Sequence, residues 1–116
     1  MDHVEAMRRY HAALNAFDLA AVEQMFSKEA EYHSTGIGAL RGREAIMAAF
    51  KRYFADYSNQ VASDDQLYLL SASTVRAEWR LKATSRSTGQ ISIRKGIETI
   101  TFDAKGLIRR IDVEDL

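Results

Sequence analysis

Glu98 lies in the middle of GIETITF (Gly96–Phe102), a run whose alternation reads as a β-strand. Parity puts it on the side of Ile100 and Phe102, opposite Ile97, Thr99 and Thr101. A carboxyl between two large apolar side chains resists ionisation, because desolvation disfavours the charged form. In its neutral form it can donate a hydrogen bond to a carbonyl or phenolate oxygen. The same acid could be purely structural, bonded to the Tyr10 hydroxyl or to Arg94, which shares its strand face. Tyr10 is either a phenol donor or a core aromatic whose hydroxyl reaches a backbone partner. His11, its neighbour, is either a proton carrier or a satisfied core histidine. Trp79 reads as pocket wall and core at once, and His33 as a surface residue.

Other chemistries are absent from the pattern. The three histidines, at positions 3, 11 and 33, lack metal-ligand spacing, and no acid cluster suggests a calcium loop. GIGALRG lacks the lysine and the preceding strand of a phosphate loop. With no cysteine, thiol catalysis and disulfides drop out, so any chemistry is expected to proceed without metal or cofactor. Sixteen basic residues balance sixteen acidic ones, so no overall field favours nucleic acid or an anionic membrane. The start of the chain is polar and no apolar run approaches a membrane span, which leads to the expectation of a cytoplasmic protein.

These residues need elements to hold them. A chain of 116 residues, 47% of them hydrophobic, supports one domain, 1–116, around one core. His3, Met7, Tyr10, Leu14 and Phe17 recur at helical spacing, flanked by Val4 and His11, and predict a first helix over Val4–Phe17. Asp18 can cap a second, short helix with Leu19, Val22, Met25 and Phe26 on its apolar side. AEYHST (Ala30–Thr35) reads as a short strand. After Gly42, a third helix carries Ile46, Phe50, Tyr53 and Tyr57 in one stripe, widened by Met47 and Phe54. Beyond Gln60 the period becomes two. A weak strand lies within Gln60–Ser71, then come TVRAEWRLKAT, ISIRKGIETITF and LIRRIDVED, joined by SRSTGQ and DAKG turns. Helices followed by an antiparallel meander give an α+β domain.

The order of elements resembles the nuclear transport factor 2-like superfamily, in its SnoaL-like and ketosteroid isomerase-like branch. The stretches that carry the resemblance are ALNAFDLAAVEQMF, LRGREAIMAAF and ITFDAKGLIRRID. It implies a cystatin-like cone: a strongly curved mixed or antiparallel sheet wrapped around the N-terminal helices, with an apolar pocket opening to one side. RYHAALNAFDL is similar to the segment that in ketosteroid isomerase carries an oxyanion-binding tyrosine, which falls on Tyr10. Glu98 falls where that family carries a second, protonated oxyanion donor. Ser34 falls where the isomerase has its proton-shuttling aspartate, and an unassisted serine is a poor base. Classical steroid isomerisation is therefore not expected. SnoaL-type cyclases resemble this chain in a last-strand aspartate, which makes Asp115 the candidate base.

Tyr10, Glu98 and Asp115 are thus the candidate catalytic residues. His11, Leu14, Ser34, Phe54, Trp79, Leu81, Ile100, Phe102, Ile111 and Val113 are expected to contact the ligand. That ligand would be a small apolar molecule bearing a carbonyl, isomerised, dehydrated or cyclised by acid-base chemistry. The alternative is a non-catalytic binding or dimeric assembly domain of the same fold. Ile91, Ile93 and Ile97 make the face opposite Glu98 apolar as well, so a second copy is expected to cover it in a homodimer.

Overall fold

The computed structural model describes residues 2–116. Helix α1 (His3–Asn15) starts where the Asp2 carboxylate accepts a hydrogen bond from the Glu5 N–H at 3.0 Å. It ends two residues before the periodicity suggests. Phe17 turns into the left-handed region (φ 57°), and Asp18 stands free to cap α2 (Leu19–Met25) through the Ala21 N–H. Phe17 keeps its place in the apolar layer by packing on Phe54, with ring centroids 4.7 Å apart.

Six strands follow or flank α3 (Arg43–Asp56): β1 (Phe26–Ser34), β2 (Gly38–Arg41), β3 (Tyr57–Leu69), β4 (Thr74–Ser85), β5 (Ile91–Phe102) and β6 (Ile108–Asp115). They form one open mixed sheet in the order β2-β1-β6-β5-β4-β3. Strands β3 to β6 make the expected meander, and β1 joins its β6 edge in parallel. Strand β1 begins at Phe26, four residues before the predicted strand, so Phe26 belongs to the sheet and not to the second helix. Gly38–Arg41, to which the sequence pattern assigns no element, pairs with β1 as a strand. Tyr57 opens β3 and does not close α3.

The inner face of β5 serves two purposes along its length. Glu98, Ile100 and Phe102 are all buried, as parity predicts, yet only Glu98 meets open space. Ile100, Phe102 and Ile111, expected to touch a ligand, instead close the narrow end of the core with Met7, Tyr10 and Phe26. Helix α1 is the reason: its first turn covers this end, and His3 stacks on Phe102 at 4.6 Å. Parity names the face; it does not say how far helices fill it.

Candidate functional site

Cross-strand pairing lines up the inner face in two adjacent rows. One row runs Ala77, Glu98, Val113 and Ser34 across β4, β5, β6 and β1. The next runs Asp64, Trp79, Gly96 and Asp115 across β3, β4, β5 and β6. Same-face residues on one strand are roughly 6–7 Å apart, so the rows are within side-chain reach of each other. Between this face and helices α1 and α3 lies a cavity of about 440 Å³.

Ten of the predicted site residues border that cavity: Tyr10, His11, Leu14, Ser34, Phe54, Trp79, Leu81, Glu98, Val113 and Asp115. Tyr32, Phe50, Tyr53 and Tyr57 add further aromatic wall, and Gln60, Asp64 and Arg94 add polar groups. The partner of Glu98 is neither Tyr10 nor Arg94. His11 Nε2–H donates to Glu98 Oε1 at 2.5 Å, and Nδ1–H donates to Asp64 Oδ2 at 2.8 Å. One imidazole therefore bridges a buried carboxylate on β5 and a rim carboxylate on the edge strand β3.

Burial alone would push the His11 imidazole down. Glu98 first, and then Asp64, more than reverse this and hold it up at about 10, so the ring is an imidazolium at neutral pH. Burial, reinforced by the Glu98 charge, raises the Tyr10 and Tyr32 hydroxyls well above the ordinary phenol range. Both stay protonated and able to donate. Both are close enough to Glu98 to feel its charge, which places two phenol donors and one carboxylate around a common space.

Asp115 is committed elsewhere. Arg94 Nε and Nη2 donate to its two oxygens at 2.9 and 2.8 Å, while the guanidinium lies 5.6 Å from the centre of the Trp79 ring. Asp115, the last-strand acid expected as the base, thus stands at the cavity wall with both oxygens engaged by Arg94. Ser34 faces the cavity, and its hydroxyl accepts from the Ile37 N–H at 3.0 Å. His33 points away and sits by Glu31 at 3.3 Å. Among the described residues, no three histidine or acidic side chains converge as a metal site.

Tyr32 was not among the expected site residues, and neither was Asp64. Its side chain is only about one-fifth exposed although it lies on an edge strand. The register of β3 shifts between Ser58 and Val61 and again between Asp64 and Gln66. Two bulges erase the alternation that would have identified its face.

The SnoaL-like domain family matches residues 7–111 of the chain. Solved structures that share the fold include the three that follow. An NTF2-like protein of unknown function from Exiguobacterium sp. 255-15 is 15% identical with TM-score 0.86, covering 96% of this chain and 98% of its own. A putative polyketide cyclase from Xanthomonas campestris pv. campestris is 17% identical with TM-score 0.87, covering 97% and 88%. SalBIII, an epoxide hydrolase/cyclase-like enzyme in pyran ring formation in polyether salinomycin, is 17% identical with TM-score 0.87, covering 98% and 90%. No curated protein matches the chain.

Proposed function

The chain belongs to the SnoaL-like domain family, and from that premise we propose that it binds a small apolar carbonyl compound and moves a proton on it. The observation that carries this reading is the His11 bridge between Glu98 and Asp64 at the wall of an aromatic cavity. The His11 ring sits against Glu98, and the Tyr10 and Tyr32 phenols line the same cavity. A base and two donors lining one cavity are the groups needed to remove a proton next to a carbonyl and to hold the resulting oxyanion. Isomerisation, dehydration and cyclisation share this step. Glu98 thus acts as the base, and Tyr10 and Tyr32 take the oxyanion role.

Small aryl ketones bound in deuterated water test the proposal, with NMR following both binding and exchange of the α-protons. Wild type should bind and exchange. Glu98→Gln should bind but not exchange, and Tyr10→Phe should weaken binding roughly tenfold, the size of one hydrogen bond to a developing charge. Binding without exchange in the wild type would leave a non-catalytic ligand-binding domain.

A homodimer through the outer face of the sheet belongs to the same reading. Ile93 is 78% exposed and Ile91 57%, and Val61 joins Ile93 in one cross-strand row through Lys82. Ile93→Lys should convert a dimer to monomer in sedimentation velocity without lowering the melting temperature of the fold. Wild type sedimenting as a monomer at micromolar concentration would end this part of the proposal. No helix among the described residues is long and apolar enough to cross a membrane.

A further inference from the structure

Asn15 ties α1 to the main chain of the edge strand β3. Its Nδ2–H donates to the Ala62 carbonyl at 2.9 Å, and the Ala62 N–H donates back to Oδ1 at 2.9 Å. A side-chain amide thereby takes both main-chain groups of an edge-strand residue, as a neighbouring strand would. Ala62 sits in the short regular stretch of β3 between its two register shifts, where pairing to β4 is interrupted on either side.

Distances along the two elements explain why this point matters. His11 precedes Asn15 by four residues, one turn on the same helix face, about 6 Å along the axis. Asp64 follows Ala62 by two residues, the same strand face, about 6.6 Å along the strand. The two elements are pinned at Asn15 and Ala62 and run in opposite senses from there. Nearly equal steps then bring His11 against Asp64. We infer that Asn15 is a positioning residue that sets α1 against β3 so that the imidazole reaches Asp64 as well as Glu98. The functional weight of this inference rests on the reading of the His11 bridge as the working group of the site.

The test uses the ligand-free protein and follows the His11 ring by ¹⁵N NMR across pH. Glu98 from β5, Asp64 from β3 and Tyr10 on α1 itself are the titratable groups that face the ring. Asn15→Leu should move the His11 midpoint down by one pH unit or more, a tenfold loss of proton affinity, because Asp64 drifts out of reach. Asn15→Ser, too short to reach both groups of Ala62 and less disruptive to folding, should show the same direction. Val22→Ala, a cavity in α2 away from the clamp, should lower stability and leave the midpoint where it was. An unmoved midpoint in the folded Asn15 variants, or an equal shift in Val22→Ala, overturns the inference. Because no ligand is present, failure to bind aryl ketones would count against the proposed function and not against this role.

Discussion

Replacing His11 by leucine should cost about 3–5 kcal/mol of folding stability, the typical price of stranding a buried charge. Leucine has similar bulk but carries no proton, so Glu98 and Asp64 would face each other across an apolar side chain. The same variant should lose a pH dependence that wild type shows. In the folded chain the imidazole keeps its proton up to about 10, against 6.5 for an ordinary histidine, so folding favours proton uptake. The stabilisation is complete below about pH 6.5, declines as pH rises, and is gone once pH passes about 10. Urea denaturation at pH 6, 8 and 10 reads both effects. Wild-type stability that is flat over this range, or a leucine variant with the wild-type slope, would show that the ring is not held charged. Adding Glu98→Leu to His11→Leu should recover part of the loss, since the orphaned carboxylate is then gone.

That coupling explains which parts of the site were legible in the chain and which were not. Glu98 was found by parity, because β5 keeps strict alternation over twelve residues and every inner position from Gly96 onward is buried. Trp79 and Leu81 were found in the same way on β4. The second half of the His11 bridge joins His11 to a residue 53 positions away, on a strand whose register shifts break the period. Local pattern carries no signal for such a contact. The partner of Glu98 was hidden for the same reason: its apolar neighbours were visible, but the imidazole approaching from α1 was not. Ile100, Phe102 and Ile111 show the complementary limit. Their face was right and their depth was not, because the depth of a cavity is set by what the helices fill.

Gly96→Ala should be among the most damaging substitutions outside the charged cluster, costing roughly 3 kcal/mol or more. Gly96 has no left-handed backbone to satisfy, and glycine within a strand is otherwise unfavourable. Its reason for being there is space. A Cβ at this position would lie 2.5 Å from Trp79 Cζ2 and 2.9 Å from Cε2, and closer still to the Glu114 carbonyl on β6. Trp79 is its cross-strand partner on β4, and its indole lies across the gap left by the missing side chain, with Arg94 stacked on it. Two relaxations are open. Either the indole swings into the cavity and gives up the Arg94 contact, or β6 parts from β5 at the Gly96–Asp115 pair. The chain holds a single tryptophan, so its fluorescence reports on the first route alone. A second substitution separates the routes: Trp79→Leu in the Gly96→Ala background should recover stability if the indole is the obstruction, and recover little if the Glu114 carbonyl is. Since Asp115 holds Arg94 at the cavity wall, either route should also disturb ligand binding, which links this one missing side chain to the shape of the site. A Gly96→Ala variant with wild-type stability and unchanged fluorescence would mean that strands β4 to β6 are farther apart at this point than the register and the indole position require.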